Sequence, residues 1–377
     1  MAPPHRIVSN MSARVAIIHD WLNGMRGGEK VLEVICELFP DAPVFTLFHE
    51  PARLSATLRA ARVVASPLNR IAWLRRRYRM LLPILPRLME RFDLRGFDAV
   101  ISSSHCVAKG AIPRPGAPHV CYCHSPMRYV WDLYDTYRAQ ARGLSRAALP
   151  LFRRRLQRWD VATAPRVSHF IANSRHIAAK IQRYYGREAA VVPPPVDCAF
   201  YQPGAGPLGD YYLVCSALVP YKRVDLAIAA CRRLERHLIV AGDGPDRGRL
   251  ERLGDGGVIE FTTGWVSDER LRTLYGGCRA LLFPGEEDFG ITPLEAMACG
   301  RPVIAYRKGG ALETVVEGRT GLFFDEQTPE AMAAAIERFE AMAFDPAMAR
   351  ARAVEFDRPA FREKLSREIY RSLGFAP

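Results

Sequence analysis

Short apolar runs alternate along the chain with stretches in which apolar residues recur every three or four positions. A strand covered on both faces is apolar throughout, whereas a helix laid against it is apolar along one stripe, so the runs read as strands and the periodic stretches as helices. Val15–Ile18 is the first such run. A glycine-rich turn follows it, and then Val31, Leu32, Ile35, Leu38 and Phe39 at helical spacing up to Pro40. Further strands are expected at Ala99–Ser102, His119–Cys123 and His169–Ala172, the last leading through Asn173-Ser174, good N-cap residues, into a helix over Arg175–Tyr185. A second series is expected at Tyr212–Leu218, Leu238–Ala241, Val258–Phe261, Ala280–Phe283 and Val303–Tyr306. Regular alternation of strand and helix predicts an α/β fold with two parallel, doubly wound sheets.

A chain of 377 residues exceeds one compact core. Pro193-Pro194-Pro195 and the stretch Pro203–Gly209 cannot continue a helix or a central strand, so the break falls there. The expected organisation is an extension over residues 1–13, a first domain over 14–192, a linker over 193–209, a second domain over 210–356, and a final segment over 357–377. Phe361, Leu365, Ile369 and Leu373 give that last segment an apolar stripe with no strand after it, so this helix must dock elsewhere. No apolar run reaches the roughly 20 residues of a membrane-spanning helix. His5 and Arg6 are followed by no apolar segment of a secretory signal.

Charge changes the picture more than composition does. Residues 1–190 carry 30 Lys/Arg against 13 Asp/Glu, and residues 191–377 carry 23 against 27. The first half therefore calls for an anionic partner or surface, and the second does not. Nine cysteines lie scattered through apolar patterns, which suits buried free thiols in a reducing compartment.

The stretch from Phe283 to Ala305 is the richest in chemistry. A strand ends near Phe283 and a loop containing Gly290 follows. Thr292 as N-cap, Pro293 at the first helical position and Glu295 three residues after the cap predict a capping box. Free backbone N–H groups at such a helix start suit an anion. Glu286, Glu287 and Asp288 would repel a phosphate, so they are either a solvated acidic loop or ligands of hydroxyl groups such as a sugar carries. Arg26-Gly27-Gly28-Glu29-Lys30 joins a strand to a helix, where glycine lets a ligand approach the backbone. His124 ends a strand at the edge where ligands of open parallel sheets gather. His19, Asp20, Trp21 and His105 are candidates for a second substrate, Asp20-Trp21 beside the glycine loop foremost. No Asp-x-Asp pair occurs, so no metal and no other cofactor is expected.

Glu287-Asp-Phe-Gly-Ile-Thr-Pro-Leu-Glu295-Ala-Met-Ala-Cys-Gly-Arg-Pro-Val-Ile resembles the donor-site signature of the retaining glycosyltransferase family 4. Ile171-Ala-Asn-Ser-Arg, Val191-Val-Pro-Pro-Pro-Val-Asp and Val240-Ala-Gly-Asp-Gly-Pro match the same family in order. The resemblance implies the GT-B architecture: two Rossmann-like domains facing across a cleft, with the C-terminal helix crossing back to the first. It implies that His124 and Glu287 contact the donor sugar and Glu295 the nucleotide ribose. Backbone N–H groups of Phe289, Gly290 and Ile291 would meet the diphosphate and sugar, and Gly27 and Gly28 would form the first domain's phosphate loop. Lys222 matches the family's diphosphate lysine, whereas Ala217 stands where the family usually has an arginine, with Arg223 the nearby substitute.

Ile71, Leu74, Tyr78, Leu81, Leu85, Leu88 and Phe92 recur at helical spacing among Arg70, Arg75, Arg76, Arg77, Arg79, Arg87 and Arg91, with Pro83 and Pro86 interrupting. Arg153-Arg154-Arg155 with Arg158 and Trp159 forms a second basic cluster. Such segments read either as membrane-surface elements or as ordinary packed helices with solvated arginines. Nucleic acid is the other anionic partner to weigh, and the sequence carries no module for it. Ile17-Ile-His-Asp-Trp, Gly27-Gly-Glu-Lys and His124-Ser-Pro-Met-Arg-Tyr-Val-Trp-Asp are similar to bacterial mannosyltransferases of O-antigen and exopolysaccharide assembly. That likeness implies a retaining, metal-independent transfer of mannose from GDP-mannose to a lipid-linked oligosaccharide, by a cytoplasmic enzyme peripheral to the inner face of the membrane. A UDP-sugar donor, a nucleotide-sugar epimerase of the same architecture and a non-catalytic assembly scaffold are the alternatives.

Overall fold

The computed structural model describes residues 13–132, 134, 138, 143–204, 206, 208–264 and 266–374, so all but one residue of the expected 1–13 extension lies outside the described residues. The chain divides into two compact units. One comprises the chain to Asn173, Ile177–Val192 and the chain from Arg362; the other comprises Ser174–His176 and Pro193–Phe361.

The first unit is built on β1 (Val15–His19), β2 (Val44–Thr46), β3 (Val63–Ala65), β4 (Ala99–Ser104), β5 (His119–Cys123), β6 (His169–Ala172) and β7 (Ala189–Val191). All pair in parallel in the order β3-β2-β1-β4-β5-β6-β7. The order reverses between β1 and β4, so the loops leaving their carboxyl ends part and open a crevice. Register sets His19 beside Ser103 and Ser104 beside Cys123, which brings three strand ends level.

The second unit repeats the design with β8 (Tyr212–Cys215), β9 (Leu238–Ala241), β10 (Ile259–Phe261), β11 (Leu281–Phe283), β12 (Val303–Tyr306) and β13 (Gly321–Phe324). These six are parallel in the order β10-β9-β8-β11-β12-β13, with the reversal between β8 and β11. Apolar clusters cover both faces of the second sheet, with Leu213, Leu281 and Val303 in one and Val214, Leu282 and Ile304 in the other. That is the fully buried sheet that the apolar runs predicted.

Four strands escaped the sequence pattern, namely β2, β3, β7 and β13, each only three or four residues long. The run expected over Tyr212–Leu218 stops pairing as a strand at Cys215. The expected linker is only partly one. Val196, Cys198 and Tyr201 are buried in the second unit's core, and Val196 N donates to Phe356 O at 3.0 Å. The prolines stop regular structure there without freeing the chain.

The segment 71–92 is not one helix. It folds as Ala72–Arg76, a 3₁₀ turn Tyr78–Leu81 and Leu85–Met89, with Tyr78, Leu85 and Met89 buried. The terminal helix Arg358–Leu373 buries Leu365, Ile369 and Leu373 and sets Tyr370 against Phe39 of the first unit, ring centroids 5.8 Å apart. The nine cysteines are free, and all but Cys215 are buried.

Candidate functional site

The crevice of the first sheet is lined by ionisable side chains from three strand ends. His124, directly after β5, sets its Nε2 2.8 Å from Ser103 Oγ. Ser103 lies on β4, and its hydroxyl is 3.2 Å from His19 Nδ1 on β1. The helix Gly27–Leu38 begins here, and a Cβ on Gly28 would stand 3.6 Å from His124 Nε2, so the helix start lies beside the ring. Burial, together with neighbouring His105 and His19, holds the His124 imidazole far below its ordinary pKa and therefore neutral.

Asp20, expected on the acceptor side, has another task. Its carboxylate accepts the backbone N–H groups of His105 at 2.7 Å, Cys106 at 3.1 Å, Val107 at 2.6 Å and Ala108 at 2.8 Å. His105 Nδ1 lies 3.1 Å from the same group. A carboxylate so occupied, and fully buried, organises the loop after β4 and offers no oxygen to a second substrate. Trp21 is likewise buried, packed on Tyr78 at 4.7 Å between centroids. Of the four acceptor-side candidates only His105 is partly exposed. Burial is the largest cause that pushes its imidazole down to about 3, with His19 adding to it and Glu29 opposing.

In the second unit the loops leaving β8 and β11 carry the expected donor residues. Lys222 and Glu287 are ion-paired, and both are mostly buried. The loop 287–290 is clamped by Gly309 and Gly310 after β12. Gly310 N donates to Glu287 O at 2.9 Å, and a Cβ on Gly310 would overlap the Phe289 backbone. Ser174, which belongs to this unit, donates its hydroxyl to Asp288 O at 2.7 Å. The adjoining helix runs Ile291–Ala298 from Gly290, whose φ of +85° favours glycine, and Gly290 rather than Thr292 is its N-cap.

The expected capping box therefore does not form. Pro293 sits on the third helical residue instead of the first, and the buried Glu295 accepts the Tyr275 hydroxyl at 3.0 Å. Arg223, the substitute for the missing arginine, adopts φ +52° and pairs with Asp225, Nε to Oδ1 3.3 Å, so its charge is already engaged next to its own helix.

Sequence reasoning placed His19 on the acceptor side rather than beside His124, and missed Ser103 and Glu29 as parts of the His124 environment and Gly309-Gly310 as the clamp of the Glu287 loop. The double glycine three residues past a strand end was the one available signal for the clamp. The first group depends on strand register, which single-sequence patterns do not show.

The family model described as Glycosyltransferase Family 4 matches residues 26–200, and the one described as Glycosyl transferases group 1 matches residues 207–355. Among curated proteins, the GDP-mannose-dependent alpha-(1-6)-phosphatidylinositol monomannoside mannosyltransferase of Mycolicibacterium smegmatis is 34% identical over 193 residues, 43% of this chain and 50% of that protein. D-inositol 3-phosphate glycosyltransferase of Acidothermus cellulolyticus is 32% identical over 210 residues, 47% of this chain and 46% of that protein. The chain thus spans about half the length of the curated relatives it matches. The crystal structure of Anabaena HepE in complex with UDP superposes with a TM-score of 0.68 at 19% identity, covering 94% of this chain and 100% of that one, a likeness of fold.

Proposed function

Since this chain belongs to glycosyltransferase family 4, with the GT-B fold, we propose that it transfers mannose from GDP-mannose to a lipid-linked oligosaccharide with retention at the anomeric carbon. The observation that carries the reading is the Glu287 loop. Its carboxylate stands at the carboxyl edge of β11 beside Lys222, on a backbone that Gly310 holds in place. Lys222 and the N–H groups of Phe289, Gly290 and Ile291 take the diphosphate, with no metal required. Glu287 holds sugar hydroxyls, Glu295 the ribose, and His124 with the Gly27-Gly28 helix start a further part of the donor. The leaving phosphate accepts the acceptor's proton, and attack occurs on the face it departs from. The mannosyl donor is supported by the mycobacterial relative, whose name includes GDP-mannose. The basic first half suits an anionic membrane surface, where a lipid-linked acceptor resides.

Thermal shift with GDP, UDP and GDP-mannose tests the donor, because a ligand that binds only the folded chain raises its melting temperature. GDP and GDP-mannose should stabilise and UDP should not. Glu287→Gln should keep the folded circular-dichroism spectrum and lower kcat/KM by roughly 100-fold, about 2.7 kcal/mol of transition-state stabilisation. Near-normal kcat/KM in the folded variant overturns the assignment, and donor consumed without acceptor redirects it to an epimerase. Activity lost in EDTA and restored by magnesium or manganese overturns the metal-free reading.

A further inference from the structure

A row of four polar side chains in the first unit begins on a helix and ends at His124. Glu29, on the third residue of the helix Gly27–Leu38, is buried; its Oε2 accepts Arg26 N at 3.0 Å and its Oε1 lies 3.9 Å from His19 Nε2. His19, the last residue of β1, is fully buried, with Nδ1 3.1 Å from the carbonyl oxygen of Ser103 and 3.2 Å from its hydroxyl. The Ser103 hydroxyl is in turn 2.8 Å from His124 Nε2. Polar groups buried in one row are costly unless each satisfies the next.

The carbonyl decides where the protons are. It can only accept, so the contact from His19 Nδ1 requires a proton on that nitrogen. His19 donates toward Ser103, and among the described residues the Ser103 hydroxyl has no other acceptor within reach, so its single proton points at His124 Nε2. Nε2 then accepts, and the neutral His124 ring carries its own proton on Nδ1. At the other end, His19 Nε2 has no hydrogen-bond partner among the described residues but faces the Glu29 carboxylate. Burial works to raise the Glu29 pKa, and the neighbouring His19, His105 and Arg26 outweigh it, leaving an ionised carboxylate opposite the His19 ring. Ser103 occupies the Nε2 edge of His124, and among the described residues nothing bonds to Nδ1.

We propose that Glu29, His19 and Ser103 are positioning residues that lock His124 in the Nδ1–H form, so that it meets its ligand as a hydrogen-bond donor. This rests on the reading of His124 as a donor-sugar contact. The consequence is a choice of partner: a ring fixed as Nδ1–H offers a proton to a sugar or phosphate oxygen and cannot act there as a base.

The experiment is nitrogen NMR on histidine-labelled protein, with the His124 signals identified by their loss in His124→Gln. Wild type should show His124 neutral and protonated on Nδ1. Ser103→Ala should move a substantial share of that proton to Nε2 and lower kcat roughly tenfold or more with little change in donor KM, as expected when an imidazole loses the group that sets its tautomer. Ser103→Thr, which keeps the hydroxyl, should restore both readouts. An Nε2–H ring in wild type, or a Ser103→Ala protein with unchanged tautomer and kcat, overturns the relay. If His124→Gln itself turns over normally, the donor-sugar reading fails, while the wild-type nitrogen spectrum still decides whether the relay exists.

Discussion

Lys222 and Glu287 are each other's partner, and the proposed donor needs both. A diphosphate has to draw the ammonium from the carboxylate, and the carboxylate then turns to sugar hydroxyls. Arg223 likewise starts out paired, with Asp225, on a left-handed backbone at φ +52°. Lys222 is therefore the charged contact that the proposed diphosphate binding rests on. Lys222→Ala should weaken GDP binding more than guanosine binding, by roughly 1.5–3 kcal/mol for one lost charge-assisted contact. Calorimetric titration of both ligands measures the difference, and equal losses would remove the lysine's phosphate role. Lys222 was singled out in the sequence through its match to the family's diphosphate lysine. Its pairing with Glu287 was not, since 65 positions separate the two in the sequence.

At the scale of elements, the helix Ile291–Ala298 shows how local signals and tertiary contacts divide the work. Thr292, Pro293 and Glu295 together resemble a capping box, yet the helix starts from Gly290. The first N–H groups of any helix lack internal partners, so proline is tolerated on its third residue as well as its first, and sequence alone does not separate the two placements. What selects the start is Gly310, whose missing Cβ lets the Phe289 backbone lie against it. Both atoms in that contact are backbone, so neither side can yield by rotating a side chain. Gly310→Ala should displace the Glu287 loop, with an overpacking cost of about 1–3 kcal/mol. Its donor affinity and kcat should fall while the far-ultraviolet circular dichroism stays native. A variant with unchanged donor affinity would show that the loop does not depend on this glycine.

Over the whole molecule, the charge is concentrated in the first half, and the structure adds where apolar surface accompanies it. Ile71, Trp73, Met80 and Ile84 are exposed, Met80 to 66% and Trp73 to 55%, on the segment that holds Arg75, Arg76 and Arg77. No acidic residue lies between Glu50 and Glu90. Among the described residues no helix is long and apolar enough to cross a membrane. Surface binding of anionic vesicles is therefore expected, each arginine near the lipid contributing about 1 kcal/mol, screened over about 10 Å at 0.1 M salt. Cosedimentation should show binding to anionic and not neutral vesicles at low salt. Replacing Arg75, Arg76 and Arg77 with glutamine should release the protein and slow transfer to a lipid-linked acceptor more than to a short soluble one. Absence of wild-type binding at low salt would remove the membrane from the proposal. The alternation of apolar runs and periodic stretches determined the two parallel sheets and most strand positions, because burial on both faces writes itself into every residue of a strand. The Glu287 loop stood out in the sequence through its family resemblance, which a contiguous stretch of chain carries. Tertiary structure alone decided that Asp20 is consumed by four backbone N–H groups, that Gly310 sets the loop, and that Ser103 joins His19 to His124. Each of these depends on strand register or on approach between distant segments, and the free energy that selects them comes from packing the whole sheet.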